Sequence, residues 1–529
     1  MGRLALWVVV LLISLAALPI RTIAQAKDDT SSKPDSAKAE QFKPEQQASK
    51  GSVTVGGSVV NYDAYAGTLV VHAKDWDDVP QNKDPNDKSQ TPEASIFYVA
   101  YFKSDTKAAP RPVTFLYNGG PGSSTVWLHM GAFGPKRVVT ADDSHTPAAP
   151  YPVVNNDYSL LDVSDLVFVD APGTGFSRIS GKDREKAFYG VDQDAHAFAD
   201  FIVQFLSKYG RWNSPKFMFG ESYGTTRSAV LVNVLETERV VDFNGVILLS
   251  QILNFNLSAD GPQFNPGVEL PYQLALPTYA ASAWYHHKLP DSHQELAPLV
   301  AEVERFAMDD YAQALAAGST LAPEQRKTIA QKLHQYTGLP VEYIEKADLR
   351  INGGEFEKTL QDDTGTTTGR LDARFSGPTL DPLSKEAEYD PQSAAIGSAY
   401  VSAFNDYVRK ELKFGENKIF KPEIEIWKTW NFLHQPPGSS LPLPMATNVM
   451  PDLAIPQGVI ECRLFDLATP FYEGVYEMQH LAIPAKLQKN IEFQFYESGH
   501  MVYARSASLK ALHDNVAAFI LKAESPKTN

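Results

Sequence analysis

Residues 217–231 read FMFGESYGTTRSAVL. Gly220, Ser222 and Gly224 place one serine between two glycines, after the strand formers Met218 and Phe219 and before a stretch that can run on as helix. This G-x-S-x-G spacing suits a sharp strand-to-helix turn that exposes a nucleophilic hydroxyl, with small neighbours to let the strained turn pack closely. A plain Gly-Ser connector could carry the same letters, so the reading turns on whether a base and an orienting acid exist to serve the serine. Asp466 follows the apolar run 458–464 in LFDLATPF, and His500 follows the run 491–496 in YESGHMVY, where Gly499 allows a tight approach. Both come after late strands, in the chain order Ser, Asp, His that such a turn uses. Asp170 also ends an apolar run, but it precedes the serine. Of the 12 histidines, His500 alone directly follows a late strand. His480 and His513 lie in helical stretches. His286-His287 is a weak suggestion of a metal site, without nearby carboxylates.

Acyl transfer through a serine also needs donors for the oxyanion of the tetrahedral intermediate. The Tyr223 amide is one. The glycine loop FLYNGGPGSST, after the run 113–117, offers a second, with Gly120 the most plausible donor. The loop lacks the Gly-Lys-Ser/Thr ending of a phosphate cradle.

These residues need a scaffold. Short apolar runs at 113–117, 166–170, 216–219 and 245–250, separated by helical stretches such as 192–208, predict buried parallel strands with crossover helices. Alternating segments at 52–60, 68–73 and 96–102 predict an antiparallel sheet ahead of them. From 256 to 430 the pattern is mainly helical (271–287, 295–317, 323–336, 396–412), and 364–369 reads as a loop. Strand character returns at 458–464 and 491–496, and 506–522 closes the chain as an amphipathic helix. The class is α/β, a mixed, mostly parallel central sheet flanked by helices with an inserted helical cap over the strand ends. The layout expected is a signal peptide at 1–26, a disordered linker at 27–50, core at 51–255, cap at 256–430 and core again at 431–525.

Composition narrows the function. The 529 residues are 43% hydrophobic and 21% charged, with a net charge of −15. That charge argues against nucleic acid and anionic membranes as partners. Arg3, the apolar run 4–18 and Ala24-Gln25-Ala26 read as a secretory signal cut after Ala26, and no later run is long enough to span a membrane. The single cysteine, Cys462, leaves no internal disulfide and reads as a buried structural thiol.

YNGGPGSS, VFVDAPGTGFSR, GESYGTT, FDLATP and ESGHMV, in this order and spacing, resemble the serine carboxypeptidase family from about residue 65 to 522. LPTYAASAWYHHKL and GRLDARF look most like its bacterial branch. The resemblance implies an α/β-hydrolase fold with a helical cap; no cofactor and no metal are expected. It implies removal of C-terminal residues from peptides through an acyl-enzyme, best at acid pH. Ser222 would be the nucleophile, His500 the base and Asp466 its orienting acid, with the Gly120 and Tyr223 amides as oxyanion hole. Asn118, Gly119 and Glu221 would hold the substrate's terminal carboxylate, Glu221 sharing a proton with it because paired carboxylates do not both ionise cheaply. The bland alternative for Glu221 is a helix cap. Three positions depart from the family: Tyr117 stands where Trp is common, Ser123 where a tethering Cys is common, and Ala132 where a second Glu is common. The rival readings are an esterase or acyltransferase with the same triad, and a non-catalytic binding or protective protein on this fold.

Overall fold

In the computed structural model, residues 42–77, 90–104, 111–291, 295–437, 447–453 and 458–524 are described. The expected signal peptide, residues 27–41 of the expected linker and the side chain of Cys462 lie outside the described parts.

The short apolar runs form the middle of a large sheet. Its strands are β1 (Gln46–Val55), β2 (Ser58–His72), β3 (Glu93–Lys103), β4 (Val113–Tyr117), β5 (Asp165–Val169), β6 (Lys216–Glu221), β7 (Gly245–Leu249), β8 (Gly458–Arg463) and β9 (Glu492–Tyr496). In space they run β1-β2-β3-β5-β4-β6-β7-β8-β9, and a short strand at Arg178–Ser180 also pairs with β3. β1 to β3 pair antiparallel, β3 meets β5 antiparallel, and from β5 to β9 every pairing is parallel. This is a mixed, mostly parallel sheet flanked by helices, the α/β-hydrolase arrangement.

Alternation along each strand divides the core in two. Phe115, Met218, Val246 and Leu248 face α1 (Val191–Tyr209) and α2 (Tyr223–Glu238). Leu116, Phe217, Phe219, Ile247 and Leu249 face the opposite layer, which includes the closing helix Ser506–Glu524. Both faces are covered, which is why these strands read as unbroken apolar runs. The register sets Tyr117 beside Gly220, Glu221 beside Leu249, and Arg463 beside Tyr496. The loops that leave β4, β6, β8 and β9 therefore emerge along one edge.

Four local expectations need correction. The segment 52–60 is not one strand: β1 and β2 form a hairpin turned at Gly56-Gly57, both with positive φ. Alternation continues across so tight a turn. The linker expected at 27–50 ends early, because β1 begins at Gln46; its exposed outer side chains are polar, yet its backbone pairs fully with β2. The helix expected over 295–317 breaks at Asp309 into Leu296–Met308 and Asp310–Ala317. Phe306 and Tyr311 stack with ring centroids 5.9 Å apart, whereas five residues of unbroken helix would set them about 140° apart. The 364–369 loop holds a paired strand, Thr366–Thr368 against Ser376–Pro378, braced by the Gln361 amide donating to Thr368 and Ser376.

No described helix is long and apolar enough to cross a membrane. Residues 256–390 carry mostly helices, including Leu270–Tyr285 and Pro323–Thr337. The rest of the insertion returns to the core: Ser123 bridges Glu423, and Gly175 bridges Lys421.

Candidate active site

Ser222 sits at φ 60°, ψ −130°, between the end of β6 and the first turn of α2. Its amide donates to Leu249 O (2.9 Å), and its carbonyl accepts from the Thr225 amide and hydroxyl. A non-glycine residue with positive φ is strained, and here that strain is held by a β-strand on one side and a helix on the other. Gly220 and Gly224 are needed because a Cβ on Gly220 would lie 2.3 Å from Gly224 O, and one on Gly224 would lie 3.0 Å from Tyr117 O.

The loop after β4 comes down onto this turn. A Cβ on Gly119 would lie 2.4 Å from the Tyr223 amide nitrogen, so only glycine allows loop and turn amides to converge. Backbone tethers this loop to the 422–424 segment: Ser124 N donates to Pro422 O (2.8 Å) and Ile424 N to Gly122 O (2.9 Å). Ser123 Oγ accepts from Trp127 Nε1 (2.8 Å), and Tyr117 is buried with its hydroxyl 2.8 Å from Ser228 Oγ.

His500 and Asp466 meet at the ends of β9 and β8. His500 Nδ1 lies 2.8 Å from Asp466 Oδ2. Asp466 is fully buried and accepts further from the Ala468 and Thr469 amides and the Thr469 hydroxyl, which fixes the carboxylate plane. Asp170, the other acid at a strand end, accepts instead from the Thr125 amide (2.8 Å) and braces the glycine loop; burial pushes it up to about 7.

Asn118, Gly119, Gly120, Glu221, Ser222 and His500 all line one cavity of about 330 Å³. Tyr223 turns its ring away onto Trp430, leaving its backbone at the turn. A larger cavity of about 670 Å³ lies within the insertion, but most of the charges lining it pair with one another, as Arg350 does with Glu269 and Lys385 with Glu355, and it holds none of these residues.

Three buried partners were not read from the sequence. Tyr503 donates its hydroxyl to both Glu221 oxygens (3.1 and 2.9 Å), so Glu221 is no simple helix cap. Burial, with Glu221 alongside, pushes the Tyr503 hydroxyl well up, so it stays a donor. Ala132 is buried nearby, and the adjoining Gly131 packs on the Tyr503 and Tyr400 rings. Arg227 is fully buried, pairs with Asp194 (2.6 Å) and donates to Asn118 O (2.8 Å), tying α2 to the glycine loop. A lone charge inside the apolar stretch after Ser222 was the available signal. Asp372, the third, is treated below. His286 Nε2 lies 2.5 Å from Ala373 O, so the His286-His287 pair serves the backbone of the insertion.

Residues 85–257 match the serine carboxypeptidase family. Over this stretch the chain is similar to that family. Among its relatives are Serine carboxypeptidase-like 33 of Arabidopsis thaliana, 28% identical over 37% of this chain and 38% of that protein, and the Carboxypeptidase Y homolog of Arthroderma benhamiae, 31% identical over 25% and 24%. The chain thus spans between about a quarter and two-fifths of these relatives' lengths. A peroxisomal α/β-hydrolase of Saccharomyces cerevisiae aligns over 92% of both chains, but at 11% identity and a TM-score of 0.32. The fold assignment rests on the strand order rather than on that likeness.

Proposed function

We propose that this protein is an exported serine-type carboxypeptidase of the family's bacterial branch that removes C-terminal residues from peptides, best at acid pH. The observation that carries the reading is the 2.8 Å contact between His500 Nδ1 and Asp466 beside the strained Ser222, in one cavity with Glu221.

His500 takes the Ser222 proton as Oγ attacks the last peptide carbonyl, and Asp466 orients the ring and stabilises its charge. The Gly120 and Tyr223 amides receive the oxyanion, the latter from a helix N-terminus. Collapse breaks the C–N bond, His500 protonates the leaving amine, and the peptide remains as an ester on Ser222. Water, deprotonated by His500, then forms the new C–O bond and releases Ser222. Every step is nucleophilic and acid–base chemistry of side chains, so no cofactor is called for.

Asn118, Gly119 and Glu221 would hold the terminal carboxylate. A carboxylate beside Glu221 binds well only when the pair shares a proton, which favours acid pH. A neutral ester gives this clamp nothing to hold, which favours peptides with a free C-terminus over esterase substrates. The sequence of residues 1–26 supports export, and the net charge of −15 disfavours nucleic acid as a partner.

One peptide in free-acid and amidated forms, with products read by mass, tests the proposal. Stepwise loss of the last residue from the free acid alone is expected. Equal action on both forms, with ready cleavage of simple esters, would point to an esterase; no turnover of either would point to a binding protein.

A further inference from the structure

The loop that joins Thr366–Thr368 to Ser376–Pro378 reads GRLDARF, residues 369–375, and it belongs to the helical insertion rather than to the sheet. It passes between the two loops that carry Asp466 and His500 and bonds to both. Arg370 O accepts from Leu467 N (3.0 Å), and Ala373 N donates to Phe465 O (2.9 Å), so the residues on either side of Asp466 are held by this loop. Leu371 O accepts from His500 N (2.6 Å). Between them, the Asp372 carboxylate accepts from Gly499 N (3.2 Å). Asp372 is fully buried, and its charge is balanced by Arg374, whose Nε and Nη2 donate at 3.0 and 2.7 Å; Gln392 adds a longer contact at 3.4 Å.

The approach is tight enough to dictate the glycine in ESGHMV. A Cβ on Gly499 would lie 2.3 Å from the Asp372 Cβ and 2.4 Å from its Cγ. The loop is itself braced, since Gly369 N donates to Phe375 O and His286 binds Ala373 O. Its other side is open to the substrate: Arg370 and Leu371 line the catalytic cavity.

We propose that Asp372 is a positioning residue, and that the 370–373 loop of the insertion sets the geometry between His500 and Asp466. This rests on the reading of Ser222, His500 and Asp466 as a triad. The sheet alone fixes the ends of β8 and β9, but Phe465, Leu467, Gly499 and His500 take backbone partners from the insertion. The element that contacts the peptide is thus also the element that aligns the base, and the insertion acts as part of the catalytic apparatus as well as a wall of the site.

The test uses the full chain with Asp372→Ala, Asp372→Asn and Gly499→Ala, reading kcat, KM and the rate at which an organophosphate modifies Ser222, alongside a thermal melt. A misplacement of about 1 Å costs on the order of a hundredfold in rate. Asp372→Ala should therefore lose about a hundredfold in kcat and in labelling rate together, with KM within about threefold. Asp372→Asn keeps an acceptor for Gly499 N and should lose about tenfold or less, a rescue that general loosening of the fold would not give. Gly499→Ala attacks the same contact from the other side and should also lower kcat with KM little changed, so the test stands even if Asp372→Ala does not fold. Wild-type kcat and labelling rate in folded Asp372→Asn and Gly499→Ala, or a loss confined to KM, would overturn the proposal. Ser222→Ala run in parallel separates the two ideas: peptidase activity retained there would sink the triad reading itself, whereas an inactive Ser222→Ala beside full-rate Asp372 variants would sink only the positioning role.

Discussion

Of three buried histidines held by aspartates among the described residues, His513 included, His500 and His434 are held differently. His500 has Nδ1 on Asp466 at 2.8 Å and lines the cavity with Ser222. His434 has a carboxylate on each nitrogen, Asp192 on Nδ1 at 2.7 Å and Asp452 on Nε2 at 2.9 Å, and is only 2% exposed. Burial works against its charge, but the hydrogen bonds of the two carboxylates outweigh it, so His434 is raised to about 9; burial also pushes Asp452 up. An imidazole gripped at both nitrogens keeps its proton and acts as a fixed cation joining the 431–435 segment to α1 and the Met450–Leu453 turn. His500 has Asp466 on Nδ1 and lines one cavity with Ser222, the setting that the proposed role as base requires. On the proposed reading, local wiring rather than residue type separates a structural histidine from a catalytic one.

The largest effect should come from cutting each histidine. His500→Ala should lower kcat on the order of a millionfold, as in other triads, and Asp466→Asn about ten-thousandfold, because the ring remains but is poorly oriented. His434→Gln should leave kcat within about threefold. Comparable losses from the two histidine variants would erase the distinction.

The next effect concerns binding. KM for a free-acid peptide should climb from acid towards neutral pH as the proton shared with Glu221 is lost, and Glu221→Gln should flatten that curve, since an amide donor does not titrate. Tyr503→Phe removes a hydrogen bond that favours ionised Glu221, so the KM rise should move to higher pH. An amidated peptide should show no such rise. Steady-state kinetics across pH on the three proteins checks all of these, and superimposable wild-type and Glu221→Gln curves would remove the clamp from the account.

The smallest effect is on stability. Because the folded pKa of His434 is raised above its unfolded value, its contribution is complete below about pH 6.5 and is lost as pH rises through about 9. Between pH 7 and 9.5 the wild-type Tm should fall by about 2 °C more than that of His434→Gln, by calorimetry. Parallel Tm–pH curves would show that the double grip adds nothing.

Much of this architecture was legible because it is local. The inner parallel strands are short apolar runs, and Ser222, Asp466 and His500 each follow a strand closely, so period and order sufficed to single these three out as candidates. The glycine loop was legible because close backbone approach admits few residues. What escaped was long-range. Asp372 reaches Gly499 across 127 positions and Tyr503 reaches Glu221 across 282; Gly499 signals a tight approach without naming its partner, and nothing near Glu221 or Tyr503 marks theirs. The Gly56-Gly57 hairpin escaped for a different reason, since alternation continues through a two-residue turn.

The most direct measurement is chemical labelling of the protein with an organophosphate, followed by peptide mapping. A serine activated by His500 should take a single label, at Ser222, at a rate abolished in His500→Ala and unchanged in His434→Gln. A label at another serine, no label at all, or equal rates in wild type and His500→Ala would contradict the account.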